Sequence, residues 1–129
     1  MISRDKLEGY LMKLALSFHE AGPGMWVVSD REVGLENLLV QLVEPLVILR
    51  IHVMEVPSAG REQLFEELLK LNATDMIHGA YAVDGKNVLI IDTLEADTMD
   101  IEEFKASIDA IGLALAQHYR SLSRYRPKK

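Results

Sequence analysis

Residues 79–94 read GAYAVDGKNVLIIDTL, and this stretch decides the fold. Two runs rich in residues that favour strands, Gly79 to Val83 and Val88 to Leu94, flank Asp84-Gly85-Lys86-Asn87. An Asp-Gly pair between two such runs is a strong hairpin signal, because glycine readily adopts the backbone conformation of a tight turn. The stretch therefore predicts two adjacent antiparallel strands.

Helices are predicted on both sides of this hairpin. Upstream, residues 61–71 (REQLFEELLKL) have helical propensity, and Asn72 follows them as an end signal. Downstream, Asp100 and Glu103 have the spacing of a capping box and open a long helix. The apolar residues of that helix recur at helical spacing, at Phe104, Ile108, Ile111, Leu115, Tyr119 and Leu122.

The N-terminal half predicts one helix and then three strands. Ser3 is a plausible helix cap, and the helical spacing runs through Leu7, Leu11, Leu14 and Phe18 until Gly22-Pro23-Gly24 ends it. Strands follow at Met25 to Ser29, Leu38 to Val43 and Val47 to Val56. Between the last two, Glu44-Pro45 must turn or bulge the chain, since proline cannot donate to a central ladder.

The predicted order is thus α-β-β-β-α-β-β-α. Hairpin connections imply a mostly antiparallel sheet of five strands, on which three helices pack as an α+β layer. We expect a single domain over residues 1–122 and a basic C-terminal tail over residues 123–129, which we expect to be frayed and solvated.

Composition excludes several classes of function. The 129 residues contain no cysteine, which excludes disulfides and thiolate metal sites and fits a reducing, cytoplasmic location. No apolar run reaches the ~18 residues that span a bilayer, so no membrane partner is expected. With 9 basic and 20 acidic residues before Arg120, the body carries a formal charge of −11. Such a body repels a phosphate backbone, so no nucleic-acid partner is expected.

The residues that could carry chemistry form no recognisable site. The four histidines have no metal-ligand spacing, so neither a metal nor another cofactor is expected. Gly22-Pro23-Gly24 is too short to cradle a phosphate, and no nucleophile elbow exists. An enzyme would need a site assembled across strands, for which Arg50, His52 and Asp92 are the candidates. We predict no catalytic residues.

Surplus apolar surface is the more informative feature. In the second helix Leu64, Phe65, Leu68, Leu69 and Leu71 cover an arc of about 160°, wider than the ~100° that seats a helix on one sheet. Met12 and Leu16 fall opposite the main stripe of the first helix, and Ala106, Ala110 and Leu113 lie away from that of the third. Isolated exposed apolar residues are normal in proteins, but the whole set favours a protein interface.

The segments Leu68-Leu69-Lys70-Leu71-Asn72-Ala73, His78 to Gly85 and Val88-Leu89-Ile90-Ile91 resemble the YbjN family. That family is similar in fold to the type III secretion chaperones, including the Tir chaperone group. The resemblance implies a small, acidic, commonly dimeric protein without catalytic residues. Within this group, the secretion chaperones wrap an unfolded client segment around apolar patches. It places the dimer interface at Leu64, Phe65, Leu68 and Leu69.

The leading hypothesis is therefore a non-enzymatic homodimer that binds a protein, either as a client chaperone or as a YbjN-type regulator. The client surface is predicted from apolar placement alone, at Met12, Leu16, Trp26 and Val28. The alternative is a sensory domain that binds a small ligand between helix and sheet near Trp26, His52 and Tyr81.

Overall fold

The protein structure is a computed structural model that describes residues 4–126. Within this range the helices are α1 (Arg4–Lys13), α2 (Arg61–Thr74) and α3 (Ile101–Ser123). The strands are β1 (Ser17–Gly22), β2 (Met25–Asp30), β3 (Leu35–Val43), β4 (Leu46–Glu55), β5 (Ala80–Asp84) and β6 (Asn87–Glu95). A 3-10 turn, Arg31–Val33, connects β2 to β3. The predicted cap Ser3 lies outside the described residues.

The strands form one antiparallel sheet in the order β1-β2-β3-β4-β6-β5. The predicted α+β class with three helices on an antiparallel sheet is confirmed for the described range. The predicted number of strands is wrong, because the sheet has six strands and not five. The additional strand is β1, at one edge.

Strand β1 was predicted as the end of the first helix. That helix stops at Lys13, because Ala15 adopts a left-handed backbone with φ 57°. The N–H of Ala15 donates to the carbonyl of Met12 at 3.0 Å, and that of Leu16 donates to Leu11 at 3.1 Å. This is the Schellman pattern that ends many helices, usually with glycine at the left-handed position. Alanine there leaves no signal in the sequence.

Both predicted turns are hairpin connections. Val43 pairs with Leu46 across Glu44-Pro45, which contains a cis peptide bond, so this pair turns the chain between β3 and β4. Asp84 pairs with Asn87 across a second two-residue loop, in which Gly85 has φ 62°. That positive φ explains the need for glycine.

One face of the sheet is buried under the helices. In β4, Val47, Leu49 and Ile51 are buried on that face, and the alternate residues Ile48 and Arg50 lie on the other. The register between β4 and β6 shifts between His52 and Met54. Because a bulge places one extra residue on a strand, Val53 and Met54 are both buried, although alternation predicts Met54 on the open face.

Helix α3 begins as predicted. Asp100 accepts from the N–H of Glu103 at 2.8 Å, and the Glu103 side chain accepts from the N–H of Asp100, which completes the capping box. From the predicted apolar stripe, Phe104, Ile108, Ile111 and Leu122 are buried, Leu115 is half-buried and Tyr119 is exposed.

Candidate protein-binding surfaces

The predicted dimer residues divide between the two faces of α2. Leu64 and Leu68 are buried in the core of the monomer. Phe65 is half-buried at the edge of that core, with the Arg61 guanidinium 5.7 Å from its ring centroid, and Leu69 is 69% exposed. We call Phe65 and Leu69 the α2 outer face. Only these two of the four predicted residues offer surface to a second molecule.

The predicted client residues divide in the same way, and three of them require correction. Met12 is 64% exposed, but Leu16, Trp26 and Val28 are buried. Leu16 follows the left-handed turn at Ala15, so helical spacing does not apply to it. Trp26 and Val28 alternate onto the core face of β2. The indole nitrogen of Trp26 donates to Glu8 of α1 at 2.7 Å, which holds this helix on the sheet.

A second exposed apolar pair was only partly foreseen. Leu113, which the sequence placed off the main stripe of α3, is 54% exposed, and Ile77 in the α2–β5 connection is 82% exposed. Both line a small hollow together with Ala110 and Ala114. Ile77 follows Met76 in the connection between α2 and β5, and its exposure has no signal in the sequence.

The three residues proposed for an assembled catalytic site do not meet. Arg50 and His52 lie on the open face of the sheet. Asp92 pairs with Leu49, whose side chain is in the core. Paired residues share a face of the sheet, so the Asp92 side chain lies on the core face, opposite to Arg50 and His52. Its carboxylate accepts from the Ser107 hydroxyl of α3 at 2.6 Å. The position of Asp92 therefore rules out this catalytic trio.

A chain of hydrogen-bonded polar side chains that sequence reasoning missed joins the C-terminal end of α2, β5 and α3. The Tyr81 hydroxyl lies 2.8 Å from Nδ1 of His118, and Nε2 of His118 lies 2.9 Å from Asp75. Because a carboxylate only accepts, Nε2 donates to Asp75, and in the tautomer that carries its proton on Nε2 the Nδ1 atom accepts from the Tyr81 hydroxyl. Both ring nitrogens of His118 are satisfied. No sequence spacing could reveal a contact among three separate elements.

The pKa values of Tyr81 and Asp75 support a structural role for these hydrogen-bonded side chains. Burial raises the pKa of Tyr81, and the charge of Asp75 raises it further. Hydrogen bonds from Thr74, which has the larger effect, and from His118 hold the pKa of Asp75 below its ordinary value. Tyr81 therefore stays protonated and Asp75 ionised near neutral pH. The arrangement stabilises the junction of α2, β5 and α3.

A cleft of about 680 Å³ lies between the C-terminal half of α3, β4 and the start of β3. His52 and Tyr81 line it together with Ile51 and Leu115, although the His52 ring contacts Asn87 at 3.0 Å on the open face of the sheet. Trp26 is buried and lies outside its lining, so the structure does not bring the three predicted ligand residues together.

The chain beyond residue 122 packs on the body, which corrects the expectation of a frayed tail for residues 123–126. Glu67 of α2 accepts from the Arg124 guanidinium at 2.5 Å and from the Tyr125 hydroxyl at 3.0 Å. Burial raises the pKa of Glu67, but hydrogen bonds from Arg124 and Tyr125 outweigh it, and the pKa lies below its ordinary value. Arg126 donates to the carbonyl of Val53 at 3.2 Å. Residues 127–129 of the predicted tail lie outside the described range.

No group of three or more histidine, aspartate or glutamate side chains is arranged to hold a metal ion within residues 4–126. None of the described helices combines the length and apolar character needed to cross a membrane.

The family model CesT_Tir_1, which represents a type III chaperone family, matches residues 2–128. The chain belongs to this family. No curated protein sequence matches it. The recognised resemblance to the YbjN and type III chaperone group is thereby confirmed.

Three solved structures share the fold. YbjN from E. coli has a TM-score of 0.72 at 15% identity, covering 93% of each chain. The heterodimeric ExoU–SpcU complex from the Pseudomonas aeruginosa type III secretion system has a TM-score of 0.61 at 11% identity, covering 86% of this chain and 93% of that one. The ExsC–ExsE complex has a TM-score of 0.56 at 15% identity, covering 98% of each chain. At these identities the likeness concerns the fold.

Proposed function

We propose that this protein is a non-enzymatic, secretion-chaperone-like binding protein of the cytoplasm, which forms a homodimer and holds a segment of a client protein. Membership of the chaperone family supports protein binding, as do two solved structures of the same fold that are complexes between two different proteins. The observation that carries the proposal is the exposure of large apolar side chains on helices whose other face is already buried.

The α2 outer face is the proposed dimer contact. Leu64 and Leu68 anchor the inner side of the helix in the core, so Phe65 and Leu69 are held in a fixed position on its outside. In a two-fold contact the same patch of both subunits meets, so Phe65 and Leu69 of one subunit are buried against the α2 outer face of the other. Burying an exposed leucine side chain contributes about 1.5–3 kcal/mol, which favours such a contact.

The client contact is proposed around Met12 on α1. Methionine is flexible and polarisable, and it adapts to irregular apolar partners. Met12 is the exposed member of the predicted client set, and Leu113 and Ile77 extend the exposed apolar surface elsewhere. An acidic chain of net charge −6 also favours a client segment that carries basic residues among its apolar ones.

Affinity purification from the source cells after cross-linking, followed by mass spectrometry, tests client binding. We expect one partner protein in stoichiometric amount with the wild-type chain and a reduced amount with Met12→Glu. The matched control is Val43→Glu, which adds the same charge at an exposed valine of the β3–β4 hairpin. Recovery of the bare chain, or equal loss in both variants, would contradict client binding at Met12.

A further inference from the structure

The last described residues of the chain tie two other elements to the end of α3. Arg124 and Tyr125 both donate to the carboxylate of Glu67 on α2, and Arg124 also donates to the Tyr125 hydroxyl at 3.2 Å. Arg126 donates to the Val53 carbonyl of β4. We call Arg124, Tyr125 and Arg126 the C-terminal strap, because these three consecutive side chains connect α3 with α2 and with β4.

The backbone fixes the C-terminal strap against the end of α3. The N–H of Tyr125 donates to the carbonyl of Leu122 at 3.0 Å, and that of Arg126 donates to the carbonyl of Ser123 at 3.1 Å. These bonds continue α3 by one tighter turn. The Tyr125 ring also packs against the hydrophobic core. The strap is therefore positioned from the side of α3, and its side chains act on α2.

The strap holds one flank of α2. Within this helix, Leu64 and Leu68 are the buried residues. At about 100° per residue, Phe65 and Glu67 lie about 160° apart, on opposite flanks of the stripe that these leucines form. A helix seated on two leucines can roll about its axis. A tie at the Glu67 flank therefore sets the direction in which Phe65 and Leu69 point.

A second tie holds the flank of Phe65. Asn72 forms two hydrogen bonds with the backbone of Tyr81 in β5, and these bonds are partly buried. The tie at Glu67 is of a different kind, because the side chain of Arg124 is 66% exposed. Exposed ion pairs are weak and are screened by salt. The strap is thus the tie that opens while the rest of the fold stays intact, and α2 then pivots about Asn72.

We propose that the C-terminal strap is a salt-sensitive conformational device, which sets the roll of α2 and thereby the affinity of the α2 outer face for a second copy of the chain. This inference rests on the proposed homodimer. With the strap closed, Phe65 and Leu69 are held in one orientation, so less freedom is lost on association. With the strap open, α2 samples several orientations and the competent one is less populated, which weakens the dimer.

Hydrogen exchange followed by mass spectrometry tests the effect on α2. Arg124→Gln removes the ion pair of the strap, and deletion of residues 124–129 removes the whole strap. Both changes are made in the Leu69→Glu background, so that protection by a second copy does not contribute. We expect the amides of residues 61–74 to exchange about threefold faster in Arg124→Gln and about tenfold faster in the deletion variant. The amides of residues 104–111 in α3 should be unaffected.

Two controls separate the strap from general effects of charge. Arg120→Gln removes the same charge from an exposed residue of α3 that forms no ion pair within residues 4–126, and it should leave the exchange of α2 unchanged. Raising the salt concentration should speed the exchange of α2 where the strap is intact and have little effect on Arg124→Gln.

Sedimentation equilibrium of the same strap variants, without Leu69→Glu, tests the effect on the dimer. We expect the dissociation constant of the dimer to rise about threefold in Arg124→Gln and about tenfold in the deletion variant, and to stay unchanged in Arg120→Gln. Unchanged exchange of α2 in the deletion variant would overturn the inference, as would faster exchange spread equally over all elements. An unchanged dissociation constant in the deletion variant would overturn the inference and leave the homodimer standing, whereas a monomeric wild-type chain would overturn both.

Discussion

The side-chain amide of Asn72 brackets the backbone of Tyr81. Its Nδ2 donates to the Tyr81 carbonyl at 3.2 Å, and its Oδ1 accepts from the Tyr81 N–H at 2.7 Å. The closing pair Asp84–Asn87 sets the alternation in β5, so the backbone of Tyr81 faces away from β6 at the edge of the sheet. Asn72 therefore replaces a neighbouring strand there, which blocks that position to edge-to-edge pairing.

Replacing Asn72 with alanine should lower the free energy of unfolding by about 1–3 kcal/mol, because two partly buried backbone groups lose their partner. Urea denaturation followed by circular dichroism measures the change. The control is Asn87→Ala, which removes an exposed contact with His52 and should cost at most about 0.5 kcal/mol. Equal losses in the two variants would show that the bracket contributes nothing specific.

Replacing Tyr81 with phenylalanine should also destabilise the fold, by about 1–3 kcal/mol, because Nδ1 of the buried His118 loses its donor. Tyr119→Phe provides the matched control at an exposed position of α3, with an expected change of at most about 0.5 kcal/mol. Denaturant unfolding of both variants at neutral pH checks this prediction. An unchanged stability of Tyr81→Phe would contradict the proposed donor role.

The pH dependence of stability should report Asp75. Its pKa is lower in the folded chain than its ordinary value, so its contribution is present above that ordinary value and is lost as the pH falls through the folded value. We expect the stability difference between wild type and Asp75→Asn to be constant near neutral pH and to shrink below about pH 4. Urea unfolding of both proteins from neutral to acidic pH measures it. A difference that grows on acidification would have the wrong sign.

Adjacent leucines of α2 should respond differently to truncation. Leu68 is 4% exposed, so Leu68→Ala should cost about 2–5 kcal/mol in free energy of unfolding. Leu69→Ala removes the same atoms from an exposed site and should cost at most about 0.5 kcal/mol in the monomer. Measurement at low protein concentration separates monomer stability from assembly. The reverse order would mean that the inner and outer faces of α2 were assigned wrongly.

Much of the fold could be predicted because its boundaries carry local chemical signals. Gly85 marks the hairpin, Asp100 and Glu103 cap α3, and Pro45 marks the β3–β4 turn. Ala15 and Asn37 also redirect the chain through positive φ, but neither is glycine. As a result, β1 was missed, and the end of the β3–β4 pairing at Leu39 and Arg50 could not be foreseen.

The exposed residues were predictable only where regular periodicity shows on which face of a helix or strand a side chain lies. Leu69 and Met12 are exposed, as the helical arcs indicated. Trp26 and Val28 were assigned to a surface although they are core residues, because a short strand run does not show which of its faces the helices cover. The contacts of Asn72 and His118 join distant segments, which sequence spacing cannot reveal.

Light scattering coupled to size-exclusion chromatography tests the central claim, that the chain binds protein through apolar helix surfaces, most directly. We predict a wild-type mass of twice 14.5 kDa and a mass of 14.5 kDa for Leu69→Glu and Phe65→Glu. Each substitution would bury an unpaired charge in the dimer contact. Leu113→Glu, an equivalent change at an exposed leucine of α3, should remain dimeric. A monomeric wild-type chain, or a dimer that survives Leu69→Glu, would contradict the assignment of the α2 outer face.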